Sequence, residues 1–573
     1  MFAILKAVFT LFGLFLCVLF FWRGRAASGP LGARKTACLI FVALIYLFFR
    51  GVGDHGLLDP IEGINASVAL NMAMRKNFVV PLVGDNLYLG NSMGFWWLSA
   101  LSLSIFSWSE FSVRFWSVVG ALGMAVAGWL IALRTGGERS ANYAAVLIGS
   151  SLLVYITSQL ASPHALYAFL VTMSLMGTIY AFREKRFFIL LHGSAMLAFV
   201  VYGPAGALLP WLSLLVYAVF AEQELFLTKA LFYWPGLLTT ILIGGGYILF
   251  LKAKNPNILT LMLYNIPSET FNSASLVLSF LAVGFFPWLG VLPGAVRSAL
   301  PLHWGLILPS EKQNVLLLAW SGVFLFFGVF SRDALLLVAS LPAMAVLCAN
   351  HLAKAVEKND SLLLQKTVAL EIILFVLFFF VGLPWFFATG DKALRHTLTS
   401  VIFWAVFCLL FLLAGWYYAK TRQPRKLMLF MSMLSLFSLL PLAGVFVLLS
   451  ESFSVRDAGL YLRNEVKPDD LLVQYALNHP SIFFYVGKPG LSSSLAHVAV
   501  NEKIVGQDKD LVDDANLNKI WEGKKRVFMM INKRQNILTP LPQSIYDLYK
   551  AQETIILSNQ RGRGSPSAPV NSP

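Results

Sequence analysis

Two carboxylates three residues apart, Asp59 and Glu62, stand in a polar stretch with strongly apolar sequence on either side. On a helical turn that spacing puts both on one face, and a carboxylate so placed can take a proton from a reacting hydroxyl. A structural reading stands beside it. Asp59 followed by Pro60 is a common helix start, and Glu62 at the third helical position suits a capping-box partner. The two readings can coexist. The polar stretch runs from Asp54 to Trp97 and also holds Arg75, Lys76, Pro81, Asp85 and the Trp96-Trp97 pair. At about fifty residues it is too long for a simple connector and reads as a functional loop. Its segments Ile64–Met74 and Gly94–Phe106 read as amphipathic helices on a membrane interface, with Trp96 and Trp97 as interfacial belt residues.

The elements that must position this loop are membrane helices. The chain has 573 residues, 58% apolar and 13% charged, where soluble proteins carry about 25% charged residues. A mean hydropathy of +0.71 requires many spans of about 20 residues each. The net charge of +15 fits Lys and Arg concentrated in cytoplasmic loops, and no nucleic-acid face is evident. Cys17, Cys38, Cys348 and Cys408 lie inside apolar segments and read as small core residues, without a CxxC pair or a disulfide framework.

Residues 2–22 read as a retained first span and 36–50 as a second. Further spans are expected at 113–133, 142–158, 163–182, 187–202, 204–221, 231–252, 273–296, 314–330, 333–353, 364–388, 396–419 and 427–450, about 14 in all. If the basic 23–35 connector is cytoplasmic, the count also places Arg134–Arg139, Arg183–Arg186 and Lys420–Lys426 there, each rich in Arg and Lys. The same count puts 51–112, 253–272, Ser331-Arg332-Asp333, 389–395 and the C-terminal segment outside.

After about residue 451 the composition changes. A helix is expected at Ser454–Asn464, strands at Leu471–Tyr475, Arg526–Ile531 and Thr554–Leu557, and helices at Leu511–Trp521 and Ser544–Ala551. That alternation predicts a soluble α/β domain of about 105 residues, and the Gly-, Ser- and Pro-rich tail is expected to be disordered. The predicted organisation is therefore two helices in 1–50, an outer loop at 51–112 carrying the candidate active site, a bundle at 113–450, an α/β domain at 451–560 and a tail at 561–573.

The run Leu58-Asp59-Pro60-Ile61-Glu62-Gly63-Ile64-Asn65-Ala66 resembles the first outer loop of the GT-C membrane glycosyltransferases. It is most similar to the bacterial branch of aminoarabinose transferases and protein O-mannosyltransferase relatives. Asn77–Pro81, Asp85–Met93, Ser109–Arg114, Tyr202-Gly203-Pro204, Phe286-Pro287-Trp288, Phe330-Ser331-Arg332 and Leu341-Pro342-Ala343 follow in the family's order, and the resemblance covers about 36–560.

The resemblance implies a GT-C-like polytopic fold and transfer of a sugar from a polyprenyl-phosphate donor to an envelope lipid, glycan or protein acceptor. It places the reaction on the outer face of a bacterial inner membrane, with the C-terminal domain in the periplasm. The candidate catalytic residues are Asp59 and Glu62, and the candidate substrate-binding residues are Tyr88, Asn91, His164, Tyr202 and Arg332. The chain departs from the family pattern at Ile61, Gly90-Asn91, His164 and Tyr202. Those departures motivate a second reading, a non-catalytic relative that binds a lipid-linked sugar; a transporter is a third. No His, Cys or carboxylate cluster has metal-site spacing, so neither metal nor cofactor is expected.

Overall fold

The computed structural model describes residues 30–561 apart from 85, 89, 91, 255–283, 302–308, 331–332, 378, 380–397, 468–469, 476, 488–491, 497–513, 533–544 and 551–553. The expected first span at 2–22, Cys17, the 389–395 connector and the tail from 562 onward lie outside the described residues, as do most of the 253–272 connector and the first half of the 273–296 span.

The chain is a helical bundle carrying a small sheet at one end. Helix α1 spans Pro30–Phe49 and α2 Ile61–Arg75, followed by a two-residue hairpin of β1 (Leu82–Val83) and β2 (Asn86–Leu87). Then come α3 (Met93–Phe106), α4 (Glu110–Gly149), α5 (Leu152–Gln159), α6 (His164–Ala181), α7 (Phe188–Tyr202) and α8 (Pro204–Phe220). Among the described residues eight helices are long and apolar enough to cross a membrane: Glu110–Gly149, His164–Ala181, Lys185–Tyr202, Trp234–Lys254, Glu311–Phe330, Ala334–Glu357, Ile402–Lys420 and Pro424–Ser450. Lys35–Phe49, Met93–Phe106 and Pro204–Phe220 are shorter apolar helices. The expected spans at 163–182 and 187–202 fall within two residues of α6 and α7.

Helix α4 holds the expected span at 113–133 and the first part of the one at 142–158, which continues into α5. Its interior residue Gly137 has φ 82°, a left-handed value that glycine adopts without strain. Trp129 donates its indole N–H to Asn142 Oδ1 at 3.1 Å, although thirteen residues of straight helix would hold them about 20 Å apart. The chain therefore turns back at Gly137, inside the basic Arg134–Arg139 connector. Helix α4 begins cleanly because Ser109 Oγ accepts the Ser112 N–H. Its inner face meets α6 at Gly120, where an added Cβ would stand 2.6 Å from the Ala165 carbonyl carbon. We expect Gly120→Val to destabilise the bundle by about 1–3 kcal/mol through overpacking. A thermal unfolding midpoint in detergent equal to the parent's would contradict that.

The C-terminal part carries α9 (Arg456–Glu465), β3 (Leu471–Tyr475), α10 (Ser481–Val486), β4 (Ser492–Ala496), α11 (Asp514–Trp521), β5 (Val527–Asn532), β6 (Tyr546–Lys550) and β7 (Thr554–Ser558). The five strands pair in the order β4-β3-β5-β7-β6. β3 runs parallel to β4 and β5, and β7 runs antiparallel to β5 and β6. Side chains alternate across the sheet with a period of two. Leu472, Phe528 and Met530 pack with α9 and α10, while Val473, Val527 and Met529 pack with Leu517 and Trp521 of α11.

Three local expectations are corrected. The segment 544–551 is a strand over Tyr546–Lys550 rather than a helix, because its backbone groups pair with β7 across a bulge at Asp547/Tyr549. Trp96 is fully buried, with its indole N–H on Asn65 Oδ1 at 2.8 Å, so it belongs to the core and not to an interfacial belt. Cys348 and Cys408 are buried, but Cys38 is exposed on α1.

Candidate active site

The first loop is organised by one buried ion pair. Glu62, in the first turn of α2, meets Arg114, in the first turns of α4, with neither side chain exposed. Arg114 Nε donates to Glu62 Oε1 at 2.7 Å and its NH2 group donates to Oε2 at 2.8 Å. Its remaining N–H groups reach the carbonyls of Val52, His55 and Gly56 at 2.8–2.9 Å. Glu62 also accepts the backbone N–H groups of Leu58 at 2.8 Å and Ala161 at 2.6 Å. Four donors thus converge on its two oxygens.

Asp59 faces elsewhere. It is not the cap of α2: the residue before that helix is Pro60, and no side chain caps it. The Asp59 carboxylate instead accepts the Ser481 backbone N–H at 2.9 Å, the Ser481 hydroxyl, and His479 Nδ1 at 3.1 Å. Burial pushes its carboxyl up from the ordinary range, against the opposing pull of His479 and Ser481. Ser67 donates to the Pro480 carbonyl at 2.7 Å and the Leu57 N–H donates to Tyr485 Oη at 2.7 Å. Asp59 therefore lies in a seam that binds the first loop to the start of α10.

The turn after α5 leads to a second polar cluster. Ala161 is held by Glu62 through its N–H and by Asn65 through its carbonyl at 3.0 Å, while the Ser162 carbonyl accepts Ser117 Oγ at 3.0 Å. That grip fixes His164, which opens α6. His164 Nε2 hydrogen-bonds Asp333 Oδ2, and Tyr202, at the end of α7, donates its hydroxyl to the same oxygen at 3.0 Å. Asp333 Oδ1 accepts the Leu335 N–H at 3.1 Å, capping the short 3-10 segment Ala334–Ser340. Tyr202 stacks on Tyr167 with ring centroids 4.5 Å apart. Burial acts to raise the Asp333 carboxyl, but His164, Tyr202 and the Leu335 N–H outweigh it and hold it below the ordinary range.

An apolar groove of about 720 Å³ draws part of its wall from the same two helices, α6 and α7. Phe78 and Trp97 of the first loop, Leu166 of α6, Val201 of α7, and Tyr247 and Phe250 of the Trp234–Lys254 helix are among its walls. Leu166 is two residues from His164, and Val201 adjoins Tyr202.

The structure thus sorts the sequence candidates into two linked groups. Asp59 and Glu62 belong to the seam and the ion pair, while His164 and Tyr202 meet on Asp333. Tyr88 rests edge-on against Trp96 at 5.9 Å, within the first loop. Asn91 and Arg332 lie outside the described residues. Sequence reasoning missed Asp333, Arg114, His479 and Ser481. The available signal for Asp333 was a charge at the end of an expected span, in a short connector assigned to the outer side. Among the described residues no three His, Cys, Asp or Glu side chains gather as a metal-ligand set.

No family model matches the chain. In fold it is similar to the crystal structure of ArnT from Cupriavidus metallidurans in the apo state, with a TM-score of 0.75 at 15% identity over 92% of this chain and 98% of that one. The same protein bound to undecaprenyl phosphate matches equally, at 0.75 over 91% and 98%. The chain therefore shares its fold with this ArnT over nearly its whole length. At the sequence level, the chain is 27% identical over 325 residues to an undecaprenyl phosphate-alpha-4-amino-4-deoxy-L-arabinose arabinosyl transferase of Pectobacterium carotovorum, covering 54% of this chain and 57% of that protein. It is 25% identical over 336 residues to an uncharacterized protein of Aquifex aeolicus, covering 56% and 64%. The chain spans less than two thirds of the length of these relatives.

Proposed function

We propose that this protein transfers a sugar from a polyprenyl-phosphate donor to an envelope lipid, glycan or protein acceptor on the periplasmic face of a bacterial inner membrane. The observation that supports the reading is that α6 and α7 contribute both to an apolar groove and to a cluster of polar and charged side chains. A lipid tail needs the first, and a phosphate-linked sugar needs the second. An ArnT of the same fold binds undecaprenyl phosphate, and several sequence relatives are named as transferases from that carrier. About 14 spans, with basic connectors on the cytoplasmic side and the 451–560 domain outside, complete the proposed arrangement.

In this reading His164 and Tyr202 serve the substrate site through Asp333, and Tyr88, Asn91 and Arg332 remain proposed as binding residues. Asp59 and Glu62 shape the site. Their surroundings favour that role over reaction, because Glu62 is encircled by four donors. The same observation keeps a second reading in view, a protein that binds the lipid-linked sugar without transferring it.

The test uses purified full-length protein in detergent, a panel of undecaprenyl-phosphate monosaccharides including 4-amino-4-deoxy-L-arabinose, and an envelope extract as acceptor source. We expect undecaprenyl phosphate to be released from one donor and its sugar to enter the extract. We also expect Val201→Trp, which fills the groove, to weaken donor binding at least tenfold. Donor bound but never consumed would select the binding reading. Donor neither bound nor consumed would overturn both.

A further inference from the structure

We infer that Asp333 is the general base of the transfer, positioned by His164 and Tyr202, in place of the first-loop carboxylates. The inference rests on the transferase reading above. A base must be able to meet its substrate and accept a proton. Glu62 has no exposed side-chain surface, and the Asp59 side chain is 2% exposed. The Asp333 side chain is 40% exposed. The residues that hold it stand on α6 and α7, two helices that also supply walls of the groove.

The cluster has the order that a positioned base requires. Two donors, the His164 ring and the Tyr202 hydroxyl, converge on Oδ2, and the backbone N–H of Leu335 fixes Oδ1. Three attachments leave the carboxylate little rotational freedom, which lowers the entropy lost on reaching the reactive geometry. His164 Nδ1 is buried and has no hydrogen-bond partner among the described residues. The ring meets the carboxylate through Nε2, so an Nε2–H is what it donates to Asp333. His164 then acts as a donor that orients Asp333, and Tyr202 does the same from α7. Both are positioning residues with respect to the carboxylate.

The step balances without a further reactant. The acceptor hydroxyl oxygen forms a bond to the anomeric carbon while the bond from that carbon to the phosphate oxygen breaks. The electron pair of the broken bond leaves with the polyprenyl phosphate. The hydroxyl proton passes to the Asp333 carboxylate. Glu62 contributes at one remove, by holding Ala161 and with it the turn that presents His164.

The experiment compares the parent with Asp333→Asn, Asp333→Glu, His164→Gln and His164→Leu, using the undecaprenyl-phosphate monosaccharide that the parent consumes. Turnover is read as released undecaprenyl phosphate, binding as undecaprenyl phosphate retained in native mass spectrometry, and folding as the thermal midpoint. Asp333→Asn is expected to lower turnover about 10²- to 10⁴-fold with binding unchanged, and Asp333→Glu to recover part of it. His164→Gln, which can still present an N–H near the Nε2 position, is expected to keep several times more turnover than His164→Leu. Turnover of Asp333→Asn within threefold of the parent overturns the assignment, as does a loss of turnover matched by a loss of binding. Should Asp333→Asn fail to fold, the two His164 variants decide, and equal turnover in both overturns it. If the parent consumes no donor, the transferase reading itself fails, an outcome distinct from an active parent with an active Asp333→Asn.

Discussion

Arg114→Met is expected to destabilise the protein by about 3–5 kcal/mol, the cost of leaving a buried charge without its partner. The size follows from the geometry. All five guanidinium N–H groups are engaged, two on Glu62 and three on the carbonyls of Val52, His55 and Gly56. Methionine fills much of the volume but leaves the Glu62 carboxylate buried with two backbone donors in place of four. Lysine is no rescue, because a single ammonium cannot match the bidentate fork or reach three carbonyls at once. Glu62→Met strands the cation instead and should cost a comparable amount. The double variant Glu62→Met/Arg114→Met should lose clearly less than the sum of the singles, since neither charge is then left alone. Thermal or denaturant unfolding in one detergent measures all four proteins. An Arg114→Met midpoint indistinguishable from the parent's would remove the ion pair from the account of this fold.

Gly63→Leu is expected to separate the C-terminal domain from the first loop while leaving the membrane bundle assembled. A Cβ at position 63 would overlap Asp59 Oδ1 and the backbone nitrogen of Ser481. Backbone atoms cannot yield as a flexible side chain can, so α2 and α10 must move apart. Parting them breaks the Asp59 bonds to Ser481 and His479, and leaves buried donors unmet at about 1–3 kcal/mol each. Limited trypsin digestion reads the outcome, with cleavage around Arg456–Arg463 expected to accelerate at least tenfold. The bundle should keep its elution volume in detergent. Gly444→Ala is the control, because a Cβ there meets nothing within 4 Å. Equal protection in Gly63→Leu and the parent would show that the seam does not hold the domain.

Much of the architecture was legible because hydropathy acts over single segments. An apolar run of about 20 residues must bury its backbone groups within itself when it enters a membrane, and a helix does that without a partner. The expectation at 163–182 accordingly meets α6 at His164–Ala181. β3 at Leu471–Tyr475 was equally plain, since both its faces are covered and it reads as an apolar run. The segment 544–551 failed for the opposite reason. A five-residue strand takes its state from the neighbour it pairs with, and the β7 ladder decided it.

For the site, the sequence by itself determined that Asp59 and Glu62 are out of place among apolar neighbours and must be accounted for. It also determined, through the order of its motifs, which fold they belong to. It did not determine what either carboxylate does, because a carboxylate's role depends on its partners. Those partners lie far along the chain: Arg114 is 52 residues from Glu62, Ser481 is 422 from Asp59, and His164 is 169 from Asp333. Only the tertiary structure brings them together. There the Glu62 oxygens are saturated, Asp59 is buried against His479 and Ser481, and Asp333 is held in place with its side chain 40% exposed. Local spacing fixes which residues share a face, but desolvation and the count of hydrogen-bond donors around a charge are set by the whole fold.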